Sequence, residues 1–320
     1  MPELIGIARM AAEGARLEAK VHTEYRELAA RSYLARCDNP RLPFRWTINP
    51  YRGCEFGCKY CYARYTHEFM ELRDPDEFEH KIFAKTFDPA RFRREIERLP
   101  VGESVALGTA TDPYQPAERR FQVTRRMLEV FAGGAGLRIG ITTKSDLVPR
   151  DTELLQEISR RHYLTVAQTI TTLDADLARL IEPLAPRPDL RLGSVRKLAA
   201  AGIRVIVFCA PVLPAINDNR ASLEALAGAA AEAGASGFGA NILFLKPSAQ
   251  QVFLPFLEVR FPALARRYRQ HFGRSAYLRG AYPDAIRARV REVRQRHWPA
   301  SSAPPEPELW PHDAQLHLFG

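Results

Sequence analysis

Three cysteines, Cys54, Cys58 and Cys61, stand in a C-x3-C-x2-C pattern on one short stretch of chain. Thiolates are soft ligands, and three on one loop hold three irons of a cubane [4Fe–4S] cluster, leaving the fourth iron without a protein ligand. An open iron binds a small molecule directly, so the spacing points to catalysis more than to electron storage. A closed structural zinc site takes four ligands, and His67 is near enough in sequence to complete a Cys3His set. The cluster and the zinc knuckle both stand as readings of these residues. Tyr60 directly precedes the third cysteine, while Gly53 and Gly57 precede the first two. Glycine lets a backbone wrap closely around a bound group.

Short apolar runs at 45–48, 104–107, 138–143, 164–170, 203–210 and 239–245 read as strands. Helical patterns lie near 123–131, 152–161, 175–180, 191–201 and 223–233, with Asp88-Pro89 and Asp151 as helix starts. Six such repeats predict an α/β fold with a parallel sheet and right-handed crossovers. In β/α barrels the chemistry gathers at the carboxyl ends of the strands, and the cysteines follow the first strand, on that rim. Polar segments follow the next strands: 108–118 (Gly-Thr-Ala-Thr-Asp-Pro-Tyr-Gln-Pro-Ala-Glu), Thr142-Thr143-Lys144-Ser145, and Gln168-Thr169-Ile170-Thr171-Thr172. Each hydroxyl taken singly reads as a cap or turn. Their joint placement after successive strands favours a ligand site, in which Lys144 pairs with a carboxylate as a point charge.

The pattern Asn-Pro-Tyr-x-Gly-Cys-x3-Cys-x-Tyr-Cys-Tyr-Ala-Arg, with the later Thr-Asp-Pro-Tyr-Gln-Pro-x-Glu and Thr-Lys-Ser, resembles the radical S-adenosylmethionine (SAM) superfamily. Within it, the likeness is to the spore photoproduct lyase-like branch, over roughly residues 45–250. The resemblance implies a partial (β/α)6 TIM-type barrel and a [4Fe–4S] cluster on Cys54, Cys58 and Cys61, with Tyr60 beside it. It also implies SAM on the open iron, cleaved reductively to a 5′-deoxyadenosyl radical that takes hydrogen from a substrate, with an electron donor as partner. Carried over by position, Thr111, Lys144 and Thr169 contact the methionine part of SAM, with Thr171 a near competitor for the last. The chain also departs from the pattern. The Gly-Gly-Glu common after strand two is replaced by 109–112, and the lyase's hydrogen-donating cysteine has Thr109 or Ala110 in its place. Cys209, at the expected end of strand five, is then the candidate catalytic thiol, although a lone cysteine in an apolar run commonly packs as a small hydrophobe. Cys37 has no assigned role.

At 320 residues, 46% apolar and 26% charged, the chain has the composition of a soluble globular protein. No apolar run approaches the ~20 residues of a membrane span, and the amino terminus lacks a signal-peptide pattern. Five cysteines, three of them clustered, make no disulfide framework. Free thiols and an oxygen-sensitive cluster imply a reducing compartment, hence the cytosol. The net charge of +9 is matched by the segment 260–298 alone, where eleven arginines face Asp284 and Glu292. Tyr268, Tyr277, Tyr282, His271, His297 and Trp298 are interleaved with them, a mixture that neutralises phosphates and stacks on unpaired bases.

The expected organisation is a helical segment over 1–44, with Leu17, Val21, Tyr25, Leu28 and Ala29 at helical spacing, then the core at 45–250. A basic helical extension at 251–298 follows, then a proline-rich linker and terminal peptide at 299–320. Gln315, Leu316, Leu318 and Phe319 resemble the Gln-Leu-x-Leu-Phe peptide that docks on the bacterial sliding clamp. The leading reading is a radical SAM enzyme that repairs or modifies nucleic acid. Its rivals are the same enzyme acting on a protein or small metabolite, and a zinc-binding adaptor on the clamp.

Overall fold

The computed structural model describes residues 4–20, 23–40, 42–273 and 275–299. The chain starts with helix α1 (Gly6–Glu13), strands β1 (Arg16–Lys20) and β2 (Thr23–Leu28), and β3 (Leu34–Arg36). Strands β4 (Trp46–Ile48) and β5 (Tyr51–Arg52) lead into the cysteine loop. A 3-10 helix over Tyr62–Met70, α2 (Glu77–His80) and β6 (Lys81–Lys85) come next. From α3 (Pro89–Glu97) on, strands and helices alternate. They are β7 (Ser104–Leu107), α4 (Glu118–Phe121), α5 (Val123–Ala132), β8 (Arg138–Thr143), α6 (Thr152–Arg161), β9 (Tyr163–Thr169), α7 (Ala175–Ile181), α8 (Pro188–Ala200), β10 (Val205–Val212), α9 (Arg220–Glu232) and β11 (Gly237–Ile242). Three helices end the described chain: α10 (Pro247–Arg260), α11 (Pro262–Phe272) and α12 (Ala281–His297).

The main sheet runs β11-β10-β9-β8-β7-β4-β3. Its six strands from β4 to β11 are parallel, with β3 antiparallel on the β4 edge. This is the parallel sheet of six β/α repeats that the periodicity predicts and the partial (β/α)6 barrel that the resemblance implies, with each of the six strands within three residues of its expected bounds. Alternation along the strands sorts their side chains. Ala106, Ala167, Ile206 and Phe208 form an inner cluster with Phe44 and Phe244. Val105, Ile139, Val166 and Val207 belong to the outer core with Met127, Ile158, Val195 and Leu226 of the helices. The Asp88 carboxylate caps α3 through the amides of Ala90 and Arg91. Asp151 precedes α6 but caps nothing: its carboxylate pairs with Arg125 (2.5 Å) and Arg150 (2.7 Å).

The helical expectation for 1–44 needs correction. Among the described residues there only α1 is helical, and the residues that follow form a second sheet in the order β1-β2-β6-β5. Tyr25 and Leu28 are both buried, three residues apart, which mimics a helix face. In a strand, residues at odd spacing point to opposite sides. Tyr25 enters the main core, while Leu28 joins Ala11, Met70 and Phe83 on the other face. A strand buried on both faces thus reads as helical. This sheet matters because its last strand, β5, runs directly into Cys54, and the Tyr25 hydroxyl donates to the buried Glu55 carboxylate in the loop (2.6 Å).

After β11, α10 packs on the 3-10 helix that follows the cysteines, joining the two ends of the parallel sheet. Phe253 meets the Tyr60 ring edge-on at 6.5 Å. Helix α12 lies along α9 and β11, with Trp298 donating to the Ala235 carbonyl (2.8 Å) and stacking on Phe238. Residues 300–320, with most of the linker and the terminal Gln315, Leu316, Leu318 and Phe319, lie outside the described residues, as does Arg274. Among the described residues, no helix is long and apolar enough to cross a membrane.

Replacing Tyr25 with Phe removes one hydroxyl from a buried carboxylate, a loss of about 1–3 kcal/mol. Urea unfolding of Tyr25→Phe should show that loss; an unchanged midpoint would mean that β2 does not brace the loop.

Candidate active site at the cysteine loop

The cysteine loop makes little regular structure of its own, so its backbone groups are satisfied by residues from elsewhere. Gly53 sits at φ +79, and a Cβ there would lie 2.6 Å from the Lys81 carbonyl oxygen, so the close approach admits only glycine. The Gly53 carbonyl accepts from the Thr111 hydroxyl (2.6 Å) and from Gln115 Nε2 (3.1 Å). The next amide but one, at Glu55, donates to Gln115 Oε1 (3.0 Å). The Cys54 amide donates to Phe78, and the Lys59 amide to Ile181, both at 2.9 Å. Arg64 is buried below the loop, with its guanidinium on Glu79 (2.6 Å), the Pro75 carbonyl (2.6 Å) and the Cys58 carbonyl (3.2 Å).

The motif after β7 therefore interlocks with the motif after β4. Asn49 bonds the Thr109 hydroxyl (3.1 Å) and the Ala110 amide (2.7 Å). The Tyr51 hydroxyl donates to Glu118 (2.5 Å). Thr111 was expected to touch a ligand. It lines the cavity, and its hydroxyl also braces the loop, donating to Gly53 and accepting from Gln115 (2.9 Å).

Cys54, Cys58 and Cys61 line one cavity together with Tyr60, Lys144 and Thr169. The cavity lies at the carboxyl ends of the parallel strands, where Asn241 of β11 also reaches it. All three thiols are free. Burial pushes them above the ordinary cysteine value, Cys58 to about 12. Three soft sulfur donors and one cation line the same cavity, chemistry suited to iron and sulfide and one ligand short of a closed four-ligand site, although among the described residues no three His, Cys, Asp or Glu side chains are gathered closely enough to hold a single metal ion. In that chemical sense the residues fit a [4Fe–4S] group with an open iron.

Behind Tyr60 stands a buried charge network that the sequence reading missed. Glu182, just beyond α7, is 1% exposed. It accepts from the Tyr60 hydroxyl and from Thr171 (2.5 Å), and it pairs with Arg191 of α8 (2.6 Å). Lys144 Nζ lies 3.9 Å from the same carboxylate and 5.7 Å from the centre of the Tyr60 ring. Burial alone would raise the Glu182 value, but Arg191 and Lys144 hold it below the ordinary range. The network fixes the Tyr60 ring and anchors Lys144 at the cavity wall. Thr171 belongs to it, which leaves Thr169 as the strand-four hydroxyl residue on the cavity. Asp112 is the second missed residue. One of its carboxylate oxygens accepts from Thr143 (2.7 Å) and the Tyr114 amide (2.9 Å), the other from the Lys144 amide (2.6 Å). It sat within a quoted motif, whereas nothing in the sequence around Glu182 marked it.

Two expectations are corrected here. Cys209 does not line the cavity. On β10 its neighbours Phe208 and Ala210 face the cavity, so alternation turns Cys209 outward, where it is 1% exposed and its thiol rests on the Thr171 carbonyl (3.5 Å). It packs as a small hydrophobe and is removed as the catalytic thiol. His67 is not a fourth ligand either. Its Nε2 bonds the Lys81 carbonyl (3.0 Å), and its ring lies against Phe78 and Phe83.

Burial lowers the His67 value from 6.5 to about 4. The unfolded chain takes up this proton near pH 6.5 and the native site only near 4, so the stability contribution is complete above 6.5 and is lost as the pH falls toward 4. The loss is on the order of 3 kcal/mol. In His67→Phe, urea unfolding should show a shallower fall in stability across that window than the parent chain. Parallel slopes would overturn this account.

The radical SAM superfamily model matches residues 48–226. An uncharacterized protein of Mycobacterium bovis is 36% identical over 300 residues, covering 92% of this chain and 88% of that protein. One of Methanocaldococcus jannaschii is 30% identical over 174 residues, covering 54% and 62%. Among solved structures, a point mutant of spore photoproduct lyase matches with a TM-score of 0.65 at 17% identity, over 86% of this chain and 80% of that one. Spore photoproduct lyase complexed with dinucleoside spore photoproduct matches at 0.63 and 15%, over the same shares. These structures share the fold. The interlocked cysteine loop, the rim cavity and the matching family model agree that this chain is an enzyme of the radical SAM superfamily, built on the fold of spore photoproduct lyase.

Proposed function

We propose that the chain carries a [4Fe–4S] cluster on Cys54, Cys58 and Cys61 and acts on nucleic acid. The observation that carries the cofactor half is the convergence of three free thiols, Lys144 and Thr169 on one cavity at the strand ends. When bound, the cluster supplies the electron, drawn from a donor protein or reductant, that cleaves SAM to a 5′-deoxyadenosyl radical able to take hydrogen from a substrate. The protein's share is placement. Lys144 offers its ammonium to the SAM carboxylate, Thr169 offers a hydroxyl residue on the strand-four wall, and Thr111 with Gln115 keeps the loop in shape. Tyr60, held by Glu182, walls the cavity and keeps water from it.

Two observations support a nucleic-acid substrate. A structure of the same fold is complexed with dinucleoside spore photoproduct. The basic helices also retain cations: Arg260, Arg266, Arg267 and Arg279 make no ion pair among the described residues. Others in the segment are neutralised, Arg269 by Glu258, Arg287 by Asp284 and Arg296 by Glu224, so its usable charge is smaller than the composition suggests. The terminal Gln315, Leu316, Leu318 and Phe319 peptide is proposed to dock on a sliding clamp.

Anaerobic reconstitution with iron and sulfide should load about four irons per chain, and reduction in the presence of SAM should release 5′-deoxyadenosine. Cys58→Ala should lose both. Stoichiometric zinc with intact SAM would instead establish a zinc protein. For the tail, a peptide covering 308–320 should bind a bacterial sliding clamp; no binding at high micromolar concentration removes that partner.

A further inference from the structure

A second groove adjoins the cysteine cavity and shares Phe44, Thr109 and Ala110 with it as a common wall. It is the roomier of the two, about 860 Å³. Arg52 of β5 and Lys85 of β6 line it. The register pairs Arg52 with Phe83, so Arg52 and Lys85 project from one face of the small sheet. Neither makes an ion pair or side-chain hydrogen bond among the described residues. Burial, and then the charge of Arg52, pull the Lys85 ammonium down to about 8. The acids nearby are occupied: Asp38 pairs with Arg36 (2.6 Å), and Glu95 accepts from Ser32 and from the amides of Tyr33 and Leu34. Glu95 still attracts the Lys85 ammonium, but it is engaged by those three donors, and two half-buried cations with so little opposing charge favour an anion that joins them. Above the same groove Phe69 is 55% exposed, its ring held by the edge of Tyr65 at 5.6 Å. An exposed, braced aromatic beside paired cations matches a phosphodiester with an unpaired base.

We infer that this groove seats an unpaired polynucleotide strand as it enters the cysteine cavity, with Arg52 and Lys85 on a backbone phosphate and Phe69 under a base. The inference rests on the nucleic-acid reading above and adds where the strand runs: beside the amino-terminal sheet rather than along the arginine-rich helices alone.

The test is fluorescence anisotropy of the full chain with labelled single-stranded DNA and RNA oligomers of about twelve nucleotides, titrated with salt. Lys85→Gln should weaken binding about tenfold and flatten the log–log salt slope by roughly 0.7, one phosphate contact on a single strand. Lys85→Arg should restore both. Phe69→Ala, a change at an exposed ring, should cost about tenfold without changing the slope. Arg196→Gln, an exposed cation of α8 outside the groove, should leave binding unchanged. The DNA and RNA arms report which strand is preferred. If the parent chain binds and both groove variants bind equally well with the same slope, the strand does not run here, and the nucleic-acid reading survives. If the parent chain binds neither oligomer even at low salt, that reading falls and takes this inference with it.

Discussion

A loop of nine residues, 53–61, that carries three cysteines lacks the hydrogen bonds to hold its own shape. Everything around it supplies them. Gln115 alone ties the Gly53 carbonyl and the Glu55 amide, acting as a side-chain substitute for a missing strand. Thr111, Tyr25, Arg64 and the Phe78 and Ile181 carbonyls provide the rest. The close approach at Gly53 then leaves no room for a side chain. The residues that make the motif after β7 recognisable are chiefly buried braces.

The parallel sheet of β/α repeats was legible because its strands are short apolar runs separated by amphipathic helices, a pattern that burial on the sheet requires; its closure into a partial barrel came from the family resemblance. The amino-terminal sheet was not. Tyr25 and Leu28 face opposite cores from one strand, and their spacing of three imitates a helix. At the site, the cysteines and Lys144 were visible because they stand in local motifs. Glu182 was invisible because its role depends on Arg191, Thr171 and Tyr60, which meet it only in three dimensions. Cys209 was misplaced by a single register step: a residue on either side of it faces the cavity.

Charge illustrates the same limit. Composition puts the whole excess in the last helices, yet several of those arginines are matched by Glu224, Glu258 and Asp284. Meanwhile Arg52 and Lys85, unremarkable in sequence, lie on one face of a small sheet and make no ion pair among the described residues. Net charge describes a segment, whereas recognition depends on which cations lack a partner after folding.

The ties to Ile181 and Leu184 carry one more consequence. Lys59 and Phe56 bond to backbone groups that lie more than a hundred positions further along the chain. During synthesis the three thiols emerge from the ribosome long before these partners exist. Domains fold as units while the chain is made, so the loop stays open until the fourth repeat has emerged. The loop's full set of backbone ties is therefore completed only once α7 and the residues just beyond it have been made, well after the cysteines themselves.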